Sequence, residues 1–345
     1  MAPNKTLIYK KLPTGMPVPG EHLAVEARET DIETAPKGGL VLENQYASFD
    51  PYMRGRMRDP SVKSYAPAFE IDGPMANSVV GKVIKSDSAE FAEGDLVIAF
   101  VPIAEYARIE DPKAASVRKV QNPHNLDLGL FLGPLGMPGL TAWSGLHKIG
   151  KPQKGETIFV SSAAGAVGQV VGQIAKREGL TVIGSVGSDE KLEFIKQLGY
   201  DGGFNYKKES PFDALKRLAP NGIDIYFENV GGSHLEAALE NINENGRIPV
   251  CGMIESYNTP REKQTGVRGL MHLIRTGATM QGFLVGKPGF GPDYAKEHQE
   301  KMQAWFADGS IQAKLHVTDG IDKAAEGFVE LFEGKNYGKA LVKIR

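Results

Sequence analysis

Residues 163–168, AAGAVG, carry the most specific chemical signal in the chain. Ala163, Gly165 and Gly168 stand at the spacing of the dinucleotide fingerprint, with alanine at the first glycine position. Just before the turn, residues 157–160 supply the β-branched and aromatic side chains of a buried strand. Just after it, Val167, Val170, Val171, Ile174 and Ala175 recur at helical spacing and make one apolar face. A pyrophosphate must approach the backbone closely, so the side chains there must be minimal. It must also meet the free N–H groups and positive end of a helix. The spacing alone is weak evidence, but a strand–turn–helix setting is the context the motif requires. The plainer alternative is a small-residue turn that only packs helix on strand.

A second strand is expected over 180–188. Enzymes that bind NAD usually place an acidic residue about 20 residues past the fingerprint, to hold the ribose hydroxyls. Residues 185–187 fall there and carry no carboxylate. Asp189 comes slightly later, as an N-cap or in the first turn of the next helix, and Lys191 follows. A missing acid with a lysine close by favours a 2′-phosphate, hence NADP. The alternative for Lys191 is a surface helix lysine. Further along, helices at 190–198, 212–218 and 235–239 alternate with strands at 203–206, 222–230, 247–252 and 279–285. This alternation implies a parallel sheet with right-handed crossovers. Ligands bind outside the carboxyl ends of such strands, which selects Asn229, residues 251–257 and residues 283–285. Tyr257, after the fifth strand, either reaches a substrate oxygen or is a surface-loop tyrosine.

Residues 1–127 read as short β-runs divided by Gly, Pro and Asp, an irregular barrel-like domain with no nucleotide fingerprint. Within it, SFDPYMRGRMRDP at 48–60 reads as too polar for a core. It is either a loop or short helix facing a cleft, with Tyr52 as hydrogen-bond donor and the arginines as anion partners, or a solvated loop with Tyr52 packed. Residues 132–147 read as a Gly/Pro-rich junction turning helical, which either lines a ligand cleft or is a plain linker. The last strand, 339–344, is expected to return to the first domain, with Asn336 in a turn near the cleft.

Length and composition bound the rest. At 345 residues two domains are expected. A net charge of −2 gives no support for nucleic-acid or membrane-surface binding. The single cysteine, Cys251, rules out an internal disulfide and any multi-thiolate zinc site, and reads as a small buried hydrophobe. The N-terminus has no signal-peptide core and no run is long enough to span a membrane, so a cytoplasmic setting is expected. Seven scattered histidines show no ligand spacing, and there is no GxSxG elbow. A cofactor must therefore carry the chemistry.

Seven motifs, in order, resemble one family: DPYMRGRM at 50–57, LGMPGLTAW at 135–143, AAGAVG at 163–168, GSDEK at 187–191, FNYK at 204–207, ENVGG at 228–232 and GKNYGKALVK at 334–343. The chain resembles the zinc-independent medium-chain dehydrogenase/reductases, within them the NADP-dependent alkenal double-bond reductases of the prostaglandin reductase and leukotriene hydroxydehydrogenase group. The resemblance implies an α/β protein with a GroES-like, β-rich catalytic domain (1–127 and 309–345) and a doubly wound Rossmann domain (128–308) binding NADPH. It implies coenzyme contacts from Gly165, Ala166, Val167 and Gly168 to the pyrophosphate, and from Lys191 to the 2′-phosphate. Tyr206, Asn229, Cys251, Tyr257, Phe283, Leu284, Val285 and Asn336 would touch other parts of the coenzyme. Tyr257 and Tyr52 would lie near the carbonyl of an enal or enone, and a homodimer is implied. Three residues depart from the family's habit. Ser162 stands where glycine is frequent, Trp143 where tyrosine is, and Glu255 where a small residue is common. A quinone reductase of the same superfamily and an idle NADPH-binding protein are the competing expectations.

Overall fold

Apolar runs through the first third of the chain make strands that are buried along much of their length. The computed structural model describes residues 1–345. Strands β1 (Ala2–Tyr9) and β2 (Leu23–Thr30) form an antiparallel pair. A second antiparallel sheet is built from β3 (Leu40–Ser48), β4 (Ala76–Ser86), β5 (Leu96–Pro102), β6 (Tyr106–Ile109) and β7 (Arg118–Lys119). The β3–β4 register slips between Asn44 and Tyr46, opposite Gly81. A Cβ at Gly81 would lie 2.9 Å from the Glu43 carbonyl oxygen, so only glycine fits this bulge. After β3 the chain turns through Pro51 into a single short helix, α1 (Tyr52–Arg56).

The middle of the chain alternates helix and strand. After α2 (Met137–Gly145) come β8 (Thr157–Val160), α3 (Gly168–Arg177), β9 (Thr181–Val186), α4 (Asp189–Gln197) and β10 (Gly202–Asn205). Then follow α5 (Pro211–Leu218), β11 (Ile223–Phe227), α6 (Gly232–Asn241), β12 (Ile242–Val250), α7 (Met271–Thr276), β13 (Thr279–Gly282) and α8 (Gly291–Ala307). Every strand pairing in this sheet is parallel, in the order β10-β9-β8-β11-β12-β13. That is the doubly wound order, and it reverses between β8 and β11, where such sheets bind ligands. Helix α3 buries Val170, Val171, Ile174 and Ala175 completely. Gly172 lets Tyr200 cross α3 so closely that a Cβ would fall 2.1 Å from its ring, and the Tyr200 hydroxyl donates to the Gly168 carbonyl at 2.8 Å.

Three strands differ from the sequence reading by three residues or more, β11 by stopping at Phe227 rather than at 230. β12 starts five residues earlier, at Ile242, and stops at Val250. β13 stops at Gly282 because the next residues turn. The Lys287 N–H bonds the Leu284 carbonyl at 3.0 Å, and the Gly291 N–H bonds the Val285 carbonyl at 2.8 Å.

The last segment contributes β14 (Leu315–Asp319), α9 (Ala324–Glu330) and β15 (Lys339–Lys343). β15 lies antiparallel to β3, with Leu341 opposite Ser48, and parallel to β14. The chain thus forms two compact units, Met1–Leu132 with Leu315–Arg345, and Gly133–Lys314. No helix is long and apolar enough to cross a membrane.

Candidate active site

The glycine turn sits at the carboxyl end of β8, beside the sheet's reversal. Its tightness is enforced by backbone. A Cβ at Gly168 would lie 2.3 Å from the Ser162 carbonyl oxygen, and one at Gly165 would lie 2.9 Å from the Ser162 hydroxyl. Ser162 itself adopts φ 51°, the left-handed region that glycine enters most easily. That explains the expected glycine there. Val167 caps α3 without a side-chain partner; the N–H groups of Gly165, Gln169 and Val170 are bonded to the Ser162, Gly165 and Val167 carbonyls, which leaves those of Ala166, Val167 and Gly168 for a ligand. This cradle suits a pyrophosphate.

At the end of β9 the charges follow the NADP pattern. Ser188 caps α4, accepting from the Lys191 N–H at 3.3 Å. Asp189, the nearest carboxylate, is held by Asn205 Nδ2 at 2.9 Å and by Lys208. Glu190 is drawn to its own helix N-terminus and to Ser188, which hold its carboxyl below the usual value. Lys191 has its ammonium lowered by burial, and further by Lys207 nearby. Two lysines and no unengaged acid make a place for an extra phosphate. Tyr206, 43% exposed, leans over Gly187, where a Cβ would meet its hydroxyl at 3.0 Å.

Across the sheet's reversal, a buried carboxyl ties two loops together. Glu228 Oε1 accepts from the Tyr226 hydroxyl at 2.8 Å and from the N–H groups of Val230 and Gly231 at 2.6 and 2.8 Å. Burial pushes its carboxyl up, against the pull of those two N–H groups. Asn229 completes the tie: its N–H bonds the Ser161 hydroxyl at 2.9 Å and its amide bonds the Ser161 carbonyl at 2.8 Å. One hydrogen of the Asn229 side-chain amide thus has an internal partner, which leaves the side-chain oxygen Oδ1 for a ligand. Burial, with Glu228 nearby, pushes the Cys251 thiol up to about 12, the behaviour of an inert thiol. Tyr257 follows a single turn, Ile254–Ser256, and its hydroxyl is 3.0 Å from where a Gly252 Cβ would sit. Phe283 packs inward, stacked on Phe290 at 5.2 Å and edge-on to Phe227 at 6.5 Å. Leu284 and Val285 form the turn behind it.

In the other unit, the segment around Tyr52 corrects the sequence reading. It is not too polar for a core: Met53 and Met57 are fully buried. Its arginines are not anion partners. Arg54 and Arg56 are 8% and 7% exposed and donate to backbone carbonyls, Arg54 to Gly15 at 2.8 Å and Arg56 to Pro67 and Ala76 at 3.0 and 2.9 Å. They stitch loops, as five-donor guanidinium groups readily do. Tyr52 is half-buried, and its hydroxyl donates to Asn77 Oδ1 at 2.8 Å. Burial, then Asp50, pushes that hydroxyl above the ordinary phenol range. Asn336 lies in the turn before β15, its amide bonded to the Gly338 carbonyl at 3.0 Å.

Known proteins resemble this chain along its length. Residues 5–117 match the family described as the N-terminal domain of oxidoreductase, and residues 166–303 match zinc-binding dehydrogenase. An NADP-dependent oxidoreductase, RED1, of Cochliobolus heterostrophus is 51% identical, covering 100% of this chain and 98% of that protein. The chain belongs to the medium-chain dehydrogenase/reductase family. Among members of this family, the NADP(+)-dependent 2-alkenal reductase of Nicotiana tabacum is 41% identical over 99% of this chain and 97% of its own. The crystal structure of CurA from Vibrio vulnificus in complex with NADPH is 37% identical, with a TM-score of 0.89 and 99% of both chains covered. A Pseudomonas syringae quinone oxidoreductase, 18% identical with a TM-score of 0.74 over 99% of this chain and 100% of that one, shares the fold.

In this medium-chain dehydrogenase/reductase no three or more His, Cys, Asp or Glu side chains gather in a way that could hold a metal ion. Four polar residues at its sites escaped the sequence reading. Glu228 lay inside a quoted motif, and so did Asp50 and Lys339, but no spacing marked them as partners. Asn77 carried no signal at all, because its role depends on which strand lies beside α1.

Proposed function

We propose that the chain is an NADPH-dependent reductase of the carbon–carbon double bond of α,β-unsaturated aldehydes and ketones. The observation that carries this reading is the glycine cradle followed by Lys191 and Lys207 with Asp189 tied away, set in a chain so similar to a 2-alkenal reductase. When bound, NADPH would supply a hydride to the β-carbon of the enal or enone. Gly165, Ala166, Val167 and Gly168 would hold the pyrophosphate, and Lys191 the 2′-phosphate. Tyr206, Asn229, Cys251, Phe283, Leu284, Val285 and Asn336 would line other parts of the coenzyme, Phe283 through its backbone. Tyr257 is the proposed hydrogen-bond donor to the oxygen on which enolate charge develops, with solvent or this tyrosine protonating the α-carbon. Tyr52 is the second candidate donor, its hydroxyl bonded to Asn77. Residues 1–132 with 315–345 would form the catalytic domain, and 133–314 the coenzyme domain.

A second copy of this chain is the proposed partner. The outer edge of β13 is unpaired, and beside it Leu270, Met271 and Ile274 are 52%, 72% and 77% exposed. A two-fold axis would pair that edge with itself.

The test is turnover of a 2-alkenal, an enone and a quinone with NADPH and NADH in parallel, in the native protein and in Lys191→Ala. Enal turnover that prefers NADPH, with the KM for NADPH raised about tenfold in the variant, supports the reading. Quinone turnover alone would transfer the chain to the quinone reductases. NADPH binding without any turnover would make it a coenzyme-binding protein, and a preference for NADH would overturn the lysine assignment.

A further inference from the structure

The loop after β12 is strapped back over the start of α6. The Ile254 N–H bonds the Asn229 carbonyl at 3.2 Å, and the Glu255 N–H bonds the Val230 carbonyl at 3.1 Å. Gly231 and Gly232 lie under this strap with φ 87° and 49°. A Cβ at Gly231 would lie 3.2 Å from the Met253 Cβ, and one at Gly232 would fall 1.8 Å from Glu255 Oε2. The side chain missing at 232 is therefore the space that the Glu255 carboxylate fills. The nearby acids Asp189 and Glu236 are engaged, Asp189 by Asn205 and Lys208 and Glu236 by the Arg268 N–H at 2.7 Å. Glu255 is not. Its residue is exposed, and partial loss of water, with Glu236 nearby, pushes its carboxyl up while no donor from the chain holds it down. Its charge also reaches across to Tyr206 at the end of β10, where burial, then Glu255, pushes the hydroxyl up. The Tyr206 ring meets His234 of α6 edge-to-face at 5.2 Å. Carboxylate, ring and the small residues of 230–232 thus neighbour one another at the carboxyl edge of the parallel sheet.

We propose that Glu255 reads the base of the coenzyme: its carboxylate accepts a hydrogen bond from the exocyclic amine of adenine and so selects against a coenzyme whose base carries an oxygen there. The inference rests on the coenzyme placement proposed above. With the pyrophosphate at 165–168 and the 2′-phosphate at Lys191, the adenosine ribose lies at the end of β9. Its base then reaches the loops after β10 and β11, where Tyr206 offers a ring and 230–232 a surface with little side chain. The amine is the donor on the edge of adenine, and an ionised carboxylate only accepts, so the two match. Hypoxanthine has a carbonyl oxygen in place of that amine. Set against Glu255, it would bring acceptor to acceptor.

The experiment measures equilibrium binding of NADP+ and of its hypoxanthine analogue, with the 2′-phosphate retained, to the full-length protein by isothermal titration. The native protein is compared with Glu255→Ala and Glu255→Gln. The native protein is expected to bind NADP+ about tenfold more tightly than the analogue. In Glu255→Ala that ratio falls toward one through loss of affinity for NADP+. In Glu255→Gln it also falls toward one, but through gain of affinity for the analogue. An amide can turn its oxygen to an amine or its nitrogen to a carbonyl. A carboxylate that serves only the N-terminus of α6 gives a different result. Both variants would then lose stability in denaturant unfolding and keep the native ratio. That result, or equal affinities in the native protein, overturns the inference, while the Lys191→Ala comparison still judges the coenzyme site on its own. Failure of the native protein to bind NADP+ removes both.

Discussion

Tyr257 stands where the loop after the fifth strand of the parallel sheet closes a single turn, and Gly252 makes room for its hydroxyl. A neutral phenol suits a developing enolate, since it donates a hydrogen bond without bringing a charge that would hold the substrate in its ground state. Removing one such donor typically costs roughly 3 kcal/mol of transition-state stabilisation. Tyr257→Phe is therefore expected to lower kcat for a 2-alkenal by about 10²-fold, read under saturating NADPH. A change under threefold would return the oxygen's stabilisation to other groups. Strand alternation located the loop of this residue, and the resemblance then gave the tyrosine its proposed role. Asn77 was not legible in the same way. A lone asparagine in a strand is unremarkable until the strand beside it is known, and only then does its amide have a determined orientation. The arginines of 54–58 were misread for the converse reason. Charge in a sequence suggests water or an anion, whereas a guanidinium can be buried when carbonyl oxygens surround it.

At the scale of elements, β15 is fastened to β3 by its backbone ladder and by the Lys339–Asp50 pair, whose side chains are 1% and 5% exposed. Burial lowers the Lys339 ammonium and the Asp50 charge opposes that fall. Such a pair is hard to break from one side, because the remaining charge has neither water nor a partner. Lys339→Met is expected to destabilise the protein by roughly 3–5 kcal/mol in denaturant unfolding. Pairing it with Asp50→Asn should recover much of that loss, since the second change removes the orphaned charge. Equal losses in the single and double variants would show that the pair itself contributes little. The parallel sheet could be traced from sequence almost strand by strand, because its apolar runs are bounded by caps and turns. Ser188 and Ser210 do cap α4 and α5. The ends of β12 and β13 were less legible, because hydrogen bonds to neighbouring segments decide where a strand stops. Nothing in the local residue types forbids Phe283 from extending β13; the turns at Leu284 and Val285 do.

The molecule as a whole tests the reading in two ways. If β13 and α7 face a second copy, Ile274→Glu places two like charges on the axis, and light scattering should then report one chain where the native protein reports two. A native mass of one chain would remove the proposed partner. The other test concerns pH. His234 and His298 are both buried in the coenzyme unit, and burial pulls each ring down to about 4. In the unfolded chain each takes up its proton near 6.5. Between those values the unfolded state binds more protons, so stability is complete above pH 6.5 and drains as the pH falls toward 4. Each ring accounts for about 2 kcal/mol lost by pH 5, a large share of the roughly 5–15 kcal/mol that holds a domain. Glu228 acts in the opposite sense. Its raised carboxyl stabilises below the ordinary range, and that contribution fades as the pH rises through its folded value. The two histidines can be separated from it. His234 stacks on Phe159 and Phe204, and its Nε2 has no hydrogen-bond partner. Phenylalanine therefore replaces it with little loss of contact. His234→Phe should match or exceed the native protein at pH 7 and exceed it by about 2 kcal/mol more at pH 5, in denaturant unfolding at the two values. Parallel pH curves for the two proteins would mean that the His234 ring is charged in the folded chain, against its burial among aromatic rings.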